Sequence, residues 1–167
     1  MTNYSDFINR LGTNAESDEC YTPPSEVLPL LPYLDKSKTY YEATSGTSSQ
    51  IVEGFASAGY SIKSSEGKNF FDCTADDVFD GVVTNPPYSK KDDFLEHCYH
   101  LGKPFALLLP VAAFQGQNRG EMFMKHGMSA LVYNRRIDFT GKKAPTFGVA
   151  WFIHGFMPPN QIYWVDN

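Results

Sequence analysis

Apolar positions along the chain come in short bursts, and their spacing alternates between the period of a helix and that of a strand. Residues 1–19 are polar without a clear period, which predicts a flexible N-terminal arm ahead of a single domain spanning 20–167. Pro24 and Ser25 then open a short helix, with Val27, Leu28 and Leu31 at helical spacing, which Pro32 ends. "KTYYEA" (38–43) reads as a first strand, followed by the small-residue loop "TSGTSS" and a helix, "QIVEGFASAG" (50–59), closed by Gly59. "YSIKSSE" (60–66) reads as a second strand, "NFFD" (69–72) as a short third, and "FDGVVTN" (79–85) as a fourth, apolar enough to lie inside a sheet. "KKDDFLEHCYHLG" (90–102) sets Phe94, Leu95, Cys98 and Leu101 on one helical face, and "KPFALLLP" (103–110) is the next buried strand. "NRGEMFMKHG" (118–127) reads as a further helix, and "ALVYNRRIDF" (130–139) and "TFGVAWFIHGF" (146–156) as the sixth and seventh strands. Strands separated by helices predict an α/β fold with a doubly wound, mostly parallel, seven-stranded sheet.

Ligands of such a sheet bind outside the carboxyl ends of the strands. The segments there are "TSGTSS", "SSEG", "NFFD" and "NPPY", so four unusual stretches are expected on one edge. Composition adds three limits. No apolar run approaches the ~18 residues that would span a bilayer, and the first residues lack the pattern of a secretory signal, so a cytoplasmic protein is expected. Cys20, Cys73 and Cys98 are widely spaced and read as free thiols, and no His or Cys cluster suggests a metal. The net charge of −5 opposes a nucleic-acid partner until its distribution is read. Residues 1–89 carry 5 Lys and Arg against 13 Asp and Glu, whereas residues 90–143 carry 9 against 5, so −8 faces +4. The basic half starts directly after "NPPYS".

"NPPY", Asn85 to Tyr88, stiffens the chain where it leaves a strand. It reads either as a rigid turn or as a site that presents Asn85 and Tyr88 to a substrate. Together with "YTPP" (21–24) and "EATSGTSS" (42–49), it resembles the class I S-adenosylmethionine-dependent amino-methyltransferases. The resemblance is strongest to the adenine-N6 DNA methyltransferases, including small phage-encoded ones, and it covers about residues 20–156. It implies a Rossmann-like methyltransferase fold and an adenine-specific DNA methyltransferase in the cytoplasm, that of the host if phage-encoded. No separate target-recognition domain is expected, so sequence readout is short, delegated to a partner subunit, or absent.

The resemblance also implies roles for particular residues. Tyr21 and Thr22 would lie near the amino-acid moiety of the cofactor, S-adenosylmethionine, and Glu42 would accept from its amino group. Thr44, Gly46 and Ser48 belong to the loop that follows, where Ser48 replaces the second glycine of the family's bend. Glu66 would accept both ribose hydroxyls, Asn69 stands where an aspartate is usual for recognising the cofactor adenine, and Phe70 would pack on that ring. The catalytic set is Asn85, Pro86, Pro87 and Tyr88, with the Asn85 side-chain oxygen and the Pro86 carbonyl accepting the target amino hydrogens and Tyr88 stacking on the base. An extruded base would be sandwiched between Tyr88 and Phe147, with Phe139 as second candidate. Lys90, Lys91, Arg119, Arg135, Arg136, Lys142 and Lys143 are the expected phosphate contacts. The same motif also suits an RNA adenine or a protein glutamine as acceptor. A degenerate fold that only binds nucleic acid or a partner fits the Ser48 and Asn69 departures.

Overall fold

The computed structural model describes residues 22–45, 49–139 and 147–166. Within them, a seven-stranded sheet is built from β1 (Thr39–Glu42), β2 (Ser61–Ser64), β3 (Gly81–Thr84), β4 (Phe105–Pro110), β5 (Ser129–Tyr133), β6 (Val149–His154) and β7 (Ile162–Val165), in the spatial order β2-β1-β3-β4-β6-β5-β7. Four of its six pairings are parallel, and β6 enters antiparallel between β4 and β5. The sheet is therefore mostly parallel, as the alternation of elements predicts, and β1 to β4 end on one common edge.

Alternation along each strand sends side chains to two covered faces. Tyr40 points toward α1 (Gln50–Ser57), where its ring meets Phe55 edge-on at 5.6 Å. Tyr41 points the other way, stacking on Phe79 at 4.8 Å and toward Phe70 at 6.4 Å, with Phe70 in turn stacked on Phe94 of α2 (Lys91–Leu101) at 5.0 Å. All six residues of β4 are buried, which is why "FALLLP" shows no polar alternation. α3 (Gln117–His126) extends the α2 layer, and Phe123 and Phe114 both reach Phe152.

The first face is closed by a 3-10 helix, Pro24–Tyr33, which contains Pro29 and Pro32. Those prolines lack the N–H that a regular α-helix needs, so the segment winds in the tighter form. Its buried side is Val27, Leu30 and Leu31; Leu28, expected inside, is exposed. The helix is clasped to the sheet through the main-chain oxygen of Glu26, which accepts from the Tyr133 hydroxyl at 2.6 Å and from Trp151 Nε1 at 3.0 Å. Burial raises the Tyr133 phenol well above its ordinary pKa, so it stays a donor.

Two expected strands come out differently. Phe70–Asp72 is a 3-10 turn and not a strand, because the Asn69 side-chain oxygen accepts from Phe71 N at 3.3 Å and both phenylalanines pack toward Phe94 instead of alternating. The count of seven is restored by β7, which pairs in parallel with β5 and was not expected from "QIYWV". β5 stops at Tyr133, where Asn134 N turns to the carbonyl of Val165, so "NRRIDF" forms a loop. No helix among the described residues is long and apolar enough to cross a membrane. The predicted arm, Cys20 and residues 140–146 lie outside the described residues.

Gly81 opens β3 at a point of close packing, since a Cβ there would lie 2.7 Å from Phe156 Cζ and 3.0 Å from the Pro104 oxygen. Gly81→Ala is expected to destabilise the fold by roughly 1–3 kcal/mol. A lowered urea midpoint with an unchanged denaturant slope would register it.

Candidate active site

Where β3 ends, Thr84 is fully buried and Asn85 is half-buried as the chain leaves the sheet. Pro87, at φ −53° and ψ 124°, then starts a single 3-10 turn, Tyr88–Lys90, which runs straight into α2. Lys90 N bonds the Pro87 oxygen at 2.9 Å and Lys91 Nζ bonds the Tyr88 oxygen at 3.2 Å, while Asp92 and Asp93 complement the positive end of α2. The stretch is thus fixed at both ends, by a central strand before it and by a helix with buried Phe94 and Leu95 after it.

Asn85 is tied to two other segments. Its side-chain nitrogen donates to Thr22 Oγ1 at 3.0 Å, and its main-chain oxygen lies 3.2 Å from Thr44 Oγ1. Thr44 belongs to a cluster around Glu42, the last residue of β1, which is only 2% exposed. Glu42 Oε1 accepts from Thr44 N at 3.0 Å, from Thr44 Oγ1 at 3.0 Å and from Thr84 Oγ1 at 2.5 Å. The two hydroxyls also touch each other at 2.8 Å. One carboxylate oxygen so holds the loop after β1 and the end of β3 together, which is how a buried acid is kept tolerable.

The loops after β1 and β2 are joined by a pair of buried serines. Ser65 N donates to Ser45 Oγ at 2.8 Å, Ser65 Oγ donates to Ser45 O at 2.5 Å, and Ser45 Oγ donates to Glu42 O at 3.2 Å. Glu66 follows at φ +49°, a left-handed conformation rare for a residue with a Cβ, and its exposed side chain lines a cleft of about 630 Å³. Tyr41, Ser64, Cys73, Asp77 and Phe79 form other parts of that wall. Burial raises the pKa of both the Tyr41 phenol and the Cys73 thiol, which keeps them protonated and makes Cys73 a poor nucleophile.

The remaining expected residues fall into three groups. Phe147 meets Tyr88 edge-to-face, with ring centres 5.6 Å apart and planes at 79°. Asn69 is spent locally, with its oxygen on Phe71 N and its nitrogen 3.4 Å from Asp72, and Phe70 lies in the core between Tyr41 and Phe94. Among the cations, Lys90 and Arg136 are exposed, and Arg135 pairs with the buried Glu26 at 2.8 Å. Arg119 pairs with Asp92 at 2.6 Å and also bonds the carbonyls of Ala113 and Gln115. Tyr21, Gly46, Ser48, Lys142 and Lys143 lie outside the described residues, and Phe139 is half-buried. Thr84, Ser45 and Ser65 are additions to the expected set. Their only sequence signal is a small hydroxyl residue at the end of, or within three residues after, each of the first three strands.

Thr84→Val should remove one donor from the buried Glu42 carboxylate and cost about 1–3 kcal/mol of stability. Thr84→Ser, which keeps the hydroxyl, should cost less, and paired urea titrations would separate the two.

No family model and no curated protein matches the chain by sequence. Solved structures do match in three dimensions. A chain from Vibrio vulnificus YJ016, described as a modification subunit of a type I restriction enzyme, superposes with a TM-score of 0.59 at 12% identity, over 98% of this chain and 51% of that one. This protein thus spans about half the length of that neighbour. A chain from Listeria monocytogenes described as a class I S-adenosylmethionine-dependent methyltransferase superposes with a TM-score of 0.57 at 10% identity, over 92% of this chain and 67% of that one. With its seven-stranded mixed sheet between helical layers, the protein has the Rossmann-like α/β architecture of the class I methyltransferases.

Proposed function

We propose that the protein is an S-adenosylmethionine-dependent methyltransferase that methylates the N6 amino group of adenine in DNA. The observation that carries this reading is the fixed Asn85-Pro86-Pro87-Tyr88 stretch at the end of β3, hydrogen-bonded to the Glu42 cluster on the same edge.

The residues present fit the cofactor. Glu42 is a buried carboxylate anchored through one oxygen, which suits the ammonium of an amino acid, and Glu66 on the cleft wall suits a ribose diol. Thr44, bonded to Glu42, is a further proposed contact, with Tyr21, Gly46 and Ser48 as proposed neighbours; Asn69 and Phe70 form the proposed adenine side once they leave their present local and core contacts. When bound, S-adenosylmethionine supplies an electrophilic methyl group on a positively charged sulfur.

Adenine N6 is a weak nucleophile because its lone pair is delocalised into the ring. The Asn85 side-chain oxygen and the Pro86 carbonyl are two acceptors for its two hydrogens; holding them there weakens the conjugation and orients the lone pair. The displaced proton passes from those oxygens to water. Prolines at 86 and 87 keep the acceptors in place before substrate arrives. Tyr88 and Phe147 stack on the extruded base, which requires the two rings to turn from 79° toward parallel and to part to about twice the ~3.4 Å stacking distance. Lys90, Lys91, Arg135 and Arg136 meet the phosphates, Arg135 with the exposed part of a guanidinium that also pairs with Glu26. A neighbour of similar fold that is a modification subunit supports DNA as the acceptor and a partner subunit for target recognition.

The test supplies labelled S-adenosylmethionine with DNA, RNA or a protein extract and locates the label. Label is expected on DNA as N6-methyladenine, reduced on the order of a hundredfold by Asn85→Ala. Phe147→Ala should raise the DNA concentration needed for half-maximal rate by roughly tenfold, the scale of one lost base-stacking contact. Label on RNA or on glutamine would move the acceptor, and cofactor binding without transfer to anything would overturn the enzymatic reading.

A further inference from the structure

An asparagine amide is nearly symmetric in shape, so its oxygen and nitrogen can exchange places by a half-turn at little steric cost. For Asn85 that exchange would be fatal to the proposed chemistry, because an NH₂ group facing the target amine sets donor against donor. Something must hold the amide one way round. Proline neighbours cannot do it, since they fix the main chain and leave the side-chain torsion open.

Thr22 stands at the right atom. Its hydroxyl oxygen accepts from Asn85 Nδ2 at 3.0 Å across 63 residues of sequence, and Thr22 is itself only 3% exposed. We infer that Thr22 is a positioning residue for the target amine: its contact fixes the torsion of the Asn85 side chain, and with the amide nitrogen on Thr22 the amide oxygen is the end presented to adenine N6. The inference rests on the methyl-transfer reading above. It gives Thr22 a role through Asn85, distinct from contact with the cofactor's amino-acid moiety.

The main chain that carries Thr22 is firmly held. Pro23 and Pro24 follow it directly, and Glu26 N closes the turn on the Pro23 oxygen at 2.9 Å. α1 abuts the same corner so closely that a Cβ on Gly54 would sit 2.9 Å from the Pro24 oxygen. Two residues further on, the Glu26 carbonyl is pinned by Tyr133 and Trp151, and its carboxylate by Arg135. At the main chain of residue 85, Thr44 Oγ1 lies 3.2 Å from the carbonyl oxygen. Asn85 is thereby gripped by its side-chain nitrogen from the segment before β1 and by its carbonyl from the loop after β1.

Thr22→Val and Thr22→Ser in the full chain test the assignment through three measurements: cofactor affinity by calorimetry, single-turnover rate at saturating cofactor and DNA, and hydrogen exchange of the Asn85 side-chain NH₂. The NH₂ signal is identified by its loss in Asn85→Asp. Thr22→Val is expected to leave cofactor affinity within about twofold, slow the single turnover by about tenfold and speed NH₂ exchange, with Thr22→Ser restoring rate and protection. An unchanged single-turnover rate in Thr22→Val, or a loss confined to cofactor affinity, overturns the assignment. If the wild-type protein transfers no methyl group, the functional reading falls separately. Equal NH₂ exchange in the wild type and Thr22→Val overturns the positioning contact whether or not transfer occurs.

Discussion

Two buried donors, the Tyr133 hydroxyl and the Trp151 indole N–H, converge on the single carbonyl oxygen of Glu26. The convergence joins a proline-rich 3-10 helix, which lacks N–H donors at Pro29 and Pro32, to the two antiparallel strands at the centre of the sheet's far half. A third contact, Trp151 Nε1 to the Tyr133 oxygen at 2.9 Å, makes the three groups one buried unit. In a low-dielectric interior such a unit favours one geometry, since any slippage leaves a polar atom without its bond. The helix is the element that brings Thr22 to Asn85, so the order of the reaction edge depends on an anchor in a different part of the sheet.

The edge itself is organised by a carboxylate. Glu42 would be costly to bury alone, but three donors on one of its oxygens bind the end of β1, the following loop and the end of β3 into a shared network. Only two hydroxyl protons, those of Thr44 and Thr84, are available for the oxygens they face: Glu42 Oε1, each other, and Asn85 O. Each hydroxyl therefore has to divide or choose its donation, and a charge change at Glu42 would be felt at the main chain of Asn85 within two bonds. The proposed cofactor and target sites are thus neighbours in hydrogen bonding as well as in space.

Much of this was legible in the sequence because its signals are local. The "FALLLP" run, the stripe of Phe94, Leu95, Cys98 and Leu101, and the stop at Gly102 in a left-handed conformation each follow from a short-range rule. What was not legible depends on distant partners. "NFFD" has a strand's composition, but it turns because two aromatic rings find Phe94 on another element. "QIYWV" becomes a strand because β5 offers it an edge. Leu28 lies outside, and Leu30 inside below Val27, because a 3-10 helix has three residues per turn. Within the site, Asn85, Tyr88 and Glu42 stood out by type and position, whereas Thr84, Ser45 and Ser65 are ordinary residues whose roles exist only in their contacts.

The edge-to-face contact of Tyr88 and Phe147 gives the site a threshold of its own. Two aromatic rings in that geometry attract each other by about 0.5–1.5 kcal/mol beyond the area they bury, so any entrant must replace that attraction on both sides at once. A purine, flat on two broad faces, can cover both rings after they separate. A side-chain amide presents a fraction of that planar area and would leave one ring partly uncovered. On the proposed reading, the pair would sort entrants by flat surface before any hydrogen bond to Asn85 is made, a filter by shape set in front of one by chemistry.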